Sequence, residues 1–278
     1  LPLRPGTLAC TTGIAAAVTA RRKTRPANRR NPGFSLVELL LALALASLLV
    51  LGLVQIVSAA SAAGSLQRNQ AQIQEHARFA TALLSRAVRQ AGYRPEPWND
   101  AFAVEALTTE SGDGVGHASD RLAVRAWSDL NCFDNRNPDI DSGGQPLFYV
   151  RESVFDLGGD NSLTRLCRYG PGNAGLITQV RRQGVVKGVE SFQVLYGEDA
   201  DRDGHIERWV RAGQWSDSRR VVGIRIGLLL ASENAVADHQ APPVTETLNI
   251  LDATATLPAD GRLRQVVEIA VALRNRTR

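Results

Sequence analysis

The stretch NPGFSLVELLLALALASLLVLGLVQIVSAASAAGSLQRNQAQIQEHARFATALLSRAVRQAGYRP, residues 31–95, decides the fold. From Leu39 to Gln67 it contains no charged side chain, and Leu36–Val57 is apolar except at Glu38, Ser47, Gly52 and Gln55. About 20 such residues suffice to cross a bilayer as a helix, because only a helix satisfies its own backbone there. Beyond the apolar run the pattern changes period instead of stopping. Ile73, Ala77, Ala80, Leu84, Ala87, Val88 and Ala91 recur at three- and four-residue steps among Gln, Arg and Glu, which makes an amphipathic helix with one stripe to bury. No proline falls between Pro32 and Pro95, and Gly92-Tyr93-Arg94-Pro95 supplies a stop. The spacing therefore predicts one helix from about Ser35 to Ala91, half suited to a membrane and half to the face of a domain.

Upstream of this helix the chain is basic. Residues 1–33 carry seven of the 32 Lys and Arg and none of the 28 acids, so residues 34–278 have a formal charge of −3. The pI near 9.3 belongs to the leader, and direct nucleic-acid binding by the body is not indicated. Arg21–Arg30 precede the apolar run, so the positive-inside rule leaves the N-terminus in the cytoplasm and sends the body across. An ordinary secretory signal competes with this reading, with Ser58–Ala63 as its cleavage site. Against it stand the length of the apolar run and Glu38, since a carboxylate near the start of a membrane helix is costly and tends to be functional. The sequence contains no Met. A non-AUG start at Leu1 or a misplaced start are both open; Val18 would shorten the leader to Val18–Gly33.

After Pro95 the signals become strands and turns. Arg121–Trp127, Leu147–Glu152, Leu163–Tyr169, Val189–Tyr196, Ile206–Arg211, Val221–Leu230 and Gln265–Leu273 are short β-rich runs. Ser111–Gly116, Asn131–Gly144 and Gly158–Ser162 separate several of them, and Ala235–Thr247 with Pro242-Pro243 reads as a long loop. Helix first and strands after predicts an α+β fold, with an antiparallel sheet against the amphipathic half of the helix. Cys10 lies in the leader, so Cys132 and Cys167 are the pair left for the body. Outside the cytoplasm they read as a disulfide worth about 3–4 kcal/mol; two buried thiols are the alternative.

Asp199-Ala-Asp201-Arg-Asp203-Gly204-His205-Ile206-Glu207 begins like a calcium loop, with carboxylates at alternate positions and a glycine for the turn. Asp199, Asp201, Asp203 and Glu207 are its candidate ligands. The twelfth position is Val210, so a complete EF-hand is absent, and a polar hairpin turn is the alternative. No cofactor is required by any other motif. The four histidines are scattered, HExxH and GxSxG do not occur, and Gly112–Gly116 reads as a turn. An enzyme is not indicated.

Gly33-Phe34-Ser35-Leu36-Val37-Glu38 resembles the prepilin signature: Gly, then an aromatic, then Glu as fifth residue of the mature chain. Gln74–Tyr93, Val189–Val210 and Gly261–Asn275 resemble segments of PilW-like minor pilins. The resemblance implies a type IV pilin-like fold and cleavage after Gly33 by a membrane aspartyl peptidase that also methylates the new Phe34 N-terminus. It makes Glu38 the assembly carboxylate. The division it implies is a removed leader at 1–33, a transmembrane and assembly helix at 34–63, and a periplasmic head at 64–278 that includes an amphipathic helix at 64–92. Expected partners are other pilins, the prepilin peptidase and methyltransferase, and an inner-membrane assembly platform. The implied location is the inner membrane, then the pilus surface. A J-like type II secretion pseudopilin shares this plan, and a calcium-stabilised tip module for adhesion or DNA uptake is a further alternative.

Overall fold

The computed structural model describes residues 33–114, 119–236 and 247–275. The basic leader through Pro32, including Cys10, falls outside them, as do His117, His239 and residues 237–246 of the proline-containing loop. One helix, α1, runs unbroken from Leu36 to Gln90. Ser35 caps its start, its Oγ accepting the Glu38 N–H at 3.2 Å, and Glu38 lies in the first turn where the helix dipole favours an anion. By contact the chain divides into residues 1–53 and 54–278, a boundary that falls inside α1.

In the first unit, the side chains of Phe34, Leu36, Val37 and the leucines through Leu53 are exposed. In the second, α1 buries Asn69, Ile73, Ala77, Ala80, Leu84 and Val88, at steps of four or three residues. Gly92 ends the helix with φ +73°. Its N–H donates to the carbonyl of Arg125 at 2.8 Å, and the Asn275 side-chain amide donates to the carbonyls of Arg89 and Ala91. A Cβ at Gly92 would run into the Asn275 carbonyl, so both the conformation and the space call for glycine.

Among the described residues ten strands follow α1. Strands β1 (Leu122–Ser128), β2 (Tyr149–Leu157), β3 (Ser162–Gly170) and β4 (Ile177–Lys187) form an antiparallel sheet in that order. Strands β5 (Val189–Glu198), β6 (Arg208–Val210), β7 (Val221–Ala235) and β10 (Arg262–Ala272) form a second, in the order β10-β7-β5-β6. The hairpin β8 (Thr247–Ile250) and β9 (Ala253–Thr256) completes the set. The α+β expectation holds, with the sheet resolved into two. The stripe of α1 joins Leu122, Val124, Phe155 and Leu163 of the first sheet and Phe192, Ile224, Ile226 and Leu228 of the second in one core.

Sequence and structure part company in four places. Strand β2 continues five residues past Glu152, because Val154 and Phe155 are buried on opposite faces of the sheet. Strand β6 shrinks to three residues. Strand β4 went unread because Arg181-Arg182-Gln183 and Gly184 are exposed on an edge strand. The β8–β9 hairpin went unread too; Ile250 and Leu257 pack on Leu229 of β7. That cover explains why β7 is apolar on both faces: one meets the core and the other meets the hairpin.

Candidate functional site: the start of α1 and the β5–β6 acidic loop

Gly33 and Phe34 lie just before the helix, both exposed, and no atom lies within 4 Å of a Cβ built on Gly33. A peptidase needs an accessible site, and Gly33 is exposed and outside any helix or strand. Glu38 stands one turn into α1, exposed like its neighbours. Cleavage after Gly33 would create an α-ammonium at Phe34. In a low-dielectric surrounding, a carboxylate one turn away would pair with such an ammonium on a neighbouring helix, each offsetting the desolvation of the other. Among the described residues α1 is the one helix long and apolar enough to cross a membrane.

In the body, Cys132 and Cys167 form a disulfide with S–S 2.09 Å and Cα–Cα 5.8 Å. Both are buried, with Val180 and Tyr169 packed around them. The Cys132 N–H donates to Gln179 Oε1 at 3.0 Å, so the bridge fastens the irregular stretch after β1 onto β3 and β4.

The acidic loop joins β5 to β6, whose register pairs Tyr196 with Val210 and Glu198 with Arg208. One carboxylate oxygen from each of Asp199, Asp201, Asp203 and Glu207 lies within 4.8 Å of the others. Asp199 is buried and the other three are exposed. The loop is also internally bonded. Gly204 N–H donates to Asp199 Oδ2 at 3.0 Å, His205 N–H to Asp203 Oδ1 at 2.7 Å, and Ala200 N–H to Glu207 Oε2 at 2.6 Å. Arg202 and Gly204 take positive φ to let the chain turn so tightly. This oxygen-only donor set suits a hard cation such as calcium, and the backbone donors partly hold it without one. His205 contributes its N–H to the turn.

Sequence reasoning missed the buried acids Glu198, Glu152 and Asp120. Glu198 is fully buried at the end of β5 and accepts from the Ser216 N–H and hydroxyl and from Arg208. Burial opposes its charge, but those donors outweigh it and its pKa is lowered. Glu152 of β2 is buried between Arg125 at 2.8 Å and Arg168 at 2.9 Å. Asp120 accepts the N–H groups of Gly114 and Val194, yet burial pushes its pKa up to about 6. A charged residue in a strand carries no sequence signal of this kind; only tertiary pairing reveals it.

Residues 148–275 match the family model described as Type IV Pilus-assembly protein W, and residues 28–54 match the prokaryotic N-terminal methylation motif. The two matches place a prepilin-type motif at the start of α1 and a segment similar to the W family across much of the body. The W-family match covers β2 through β10, and the methylation motif covers α1 from Leu36 to Val54. A type IV-like pilin from Thermus thermophilus is similar at 18% identity and a TM-score of 0.48, over 74% of this chain and 98% of that chain. No curated protein matches. The matched family builds pili and is structural, and its prepilin motif suits a membrane-anchored subunit handled by a prepilin peptidase.

Proposed function

We propose that this prepilin is a minor pilin, cut after Gly33 and N-methylated on Phe34. Residues 34–63 hold it in the inner membrane, with its body on the periplasmic side. It is then drawn into a type IV pilus, where it helps prime assembly and sits at or near the tip. The observation that carries this reading is the continuity of α1. The segment that matches the methylation motif and the stripe that forms the body's core belong to one uninterrupted helix. A signal peptide removed near Ser61 would cut that helix in two, whereas cleavage after Gly33 leaves it whole. The exposed side chains of Leu36–Val57 then need lipid before assembly and neighbouring pilin helices after it. Glu38 meets the Phe34 ammonium of an adjacent subunit.

The test is intact mass and N-terminal sequence of the membrane-extracted protein. N-methyl-Phe34 is expected, and a start near Ser61 or Gly64 refutes the reading. Glu38→Ala should be processed normally yet be missing from sheared pili; normal incorporation removes the assembly role. A J-like pseudopilin is the competing reading within the same superfamily. Deleting the gene should abolish piliation here and protein secretion there.

A second reading concerns the β5–β6 loop. Four converging carboxylate oxygens favour a calcium ion that would stiffen this hairpin as part of a binding surface.

A further inference from the structure

Three arginines meet in a cleft of about 60 Å³ between the end of α1 and the first sheet. Arg86 comes from α1, Arg151 from β2 and Arg165 from β3. The β1–β2 and β2–β3 registers place Val124, Ala126, Arg151, Ser153, Phe155 and Arg165 on one face of the sheet. The α1-facing surface is thus apolar at Phe155 and Val124 and basic at its other end. One carboxylate answers the three cations: Asp134, half exposed, 2.9 Å from Arg151. Arg151 also donates to the Asn131 carbonyl and to Gln90 Oε1.

Arg165 is the anomaly. It is partly buried, has no carboxylate within 4.0 Å among the described residues, and donates only to Cys167 Sγ at 3.6 Å. Its Nε is buried without a hydrogen-bond partner. A guanidinium so placed loses hydration without regaining it from the protein. Burial, and then the charges of Arg151 and Arg86, push its pKa down, with Asp134 opposing. Arginine nevertheless stays protonated. The fold therefore holds an under-compensated cation beside open space, and the disulfide at Cys167 fixes the stretch that carries Asp134 and Asn131 at its rim.

We propose that this cleft binds a single oxyanion group, a carboxylate or a phosphate, between Arg165, Arg151 and Arg86. Its size excludes a whole metabolite, since small-molecule sites run to roughly 300–1,000 Å³. It offers the room of about two water molecules, which suits one carboxylate or phosphate head, free or borne on something larger. A guanidinium pair or trio presents the planar, forked donors that such groups accept. A polyanion such as nucleic acid is disfavoured. It needs a track of cations, whereas these form one cluster on a body whose residues 34–278 are net negative.

The experiment is thermal unfolding of the full chain in detergent micelles at fixed ionic strength. Chloride is replaced by low-millimolar phosphate, by acetate, or by the peptide N-acetyl-Gly-Glu-Gly-amide. An anion at ten times its Kd should raise the wild-type midpoint by about 3–6 °C. Arg165→Gln should melt higher than wild type in chloride, because a repelled cation is gone, and should lose the anion-dependent rise. Arg86→Gln, exposed and harmless to folding, should weaken that rise. A rise with the peptide and acetate assigns a carboxylate carried by another molecule; a rise with phosphate alone assigns the free inorganic ion. Equal rises in wild type and both variants, or none in wild type, would overturn the site. None of these readings depends on whether the chain enters a pilus.

Discussion

Replacing both Cys132 and Cys167 with alanine removes the cross-link without burying new hydroxyls. The bridge joins residues 35 apart. In the chain-entropy account, closing such a loop lowers the entropy of the unfolded chain by about 13 cal/mol/K, or about 4 kcal/mol at 25 °C. The enclosed segment contains β2 and β3 as far as Cys167, but its first part, up to Leu147, adds little to the core. There Asn137 is the anchor, its side-chain amide donating to the carbonyls of Ser128 and Leu147. Packing therefore does little to replace the bridge, and the whole loss should be felt. For a body of this size, 4 kcal/mol corresponds to a drop of about 8–16 °C in the midpoint. The assay is unfolding in detergent micelles followed by circular dichroism, comparing wild type, wild type with reductant, and the double variant. The last two should coincide, and both should show a larger denaturant m value than the oxidised chain, because the uncrosslinked unfolded state exposes more surface. A drop below about 3 °C, or ready alkylation of both thiols in the folded unreduced protein, would refute the reasoning.

Three further outcomes are expected. Asp120 has a folded pKa of about 6 against an ordinary 3.8, so the folded state binds more protons and stability rises as pH falls through 6. The gain from pH 7.5 to 5 is about 1 kcal/mol; urea midpoints should show it in wild type and not in Asp120→Asn, and a flat wild-type profile would contradict it. Glu152→Ala leaves Arg125 facing a buried gap, while Arg168 keeps Glu110, and should cost about 3 kcal/mol in urea unfolding; a loss below 1 kcal/mol would show the Arg125–Glu152 pair to be idle. Millimolar calcium should raise the melting midpoint relative to EDTA, and Asp201→Asn with Asp203→Asn should remove the rise; an unchanged wild-type midpoint excludes the ion.

Much of this architecture could be read from the chain because local pattern and burial agree. Both halves of α1 announce themselves, one by unbroken hydropathy and one by the Ile73–Val88 spacing, with Gly92 as the stop. Strands β1, β3, β5 and β7 bury enough apolar residues to show. Strand β4 does not, since Arg181, Arg182 and Gln183 face solvent at a sheet edge. The Thr-Ala-Thr alternation of β9 conceals a hairpin whose apolar contribution rests on Ile250 and Leu257. The division into two sheets depends on pairing between segments far apart, such as β10 with β7, which no window of sequence contains. The carboxylates of the acidic loop were legible by spacing, while the Arg86–Arg151–Arg165 cluster was not, because its members come from three separate elements.

The capping of α1 by Asn275 has a temporal meaning. The carbonyls of Arg89 and Ala91 wait for a donor 186 and 184 residues downstream, and β10 pairs along most of β7 only shortly before it. A chain threaded through a membrane from its N-terminal end delivers its helix first and the clasp for that helix last. Contacts of such separation close slowly. A subunit stalled before β10 and Asn275 would leave the end of α1 unfastened and one edge of β7 bare. On the proposed reading, completion of export would thereby be written into the folded state, and an unfinished subunit would differ from a finished one at the very helix that assembly handles.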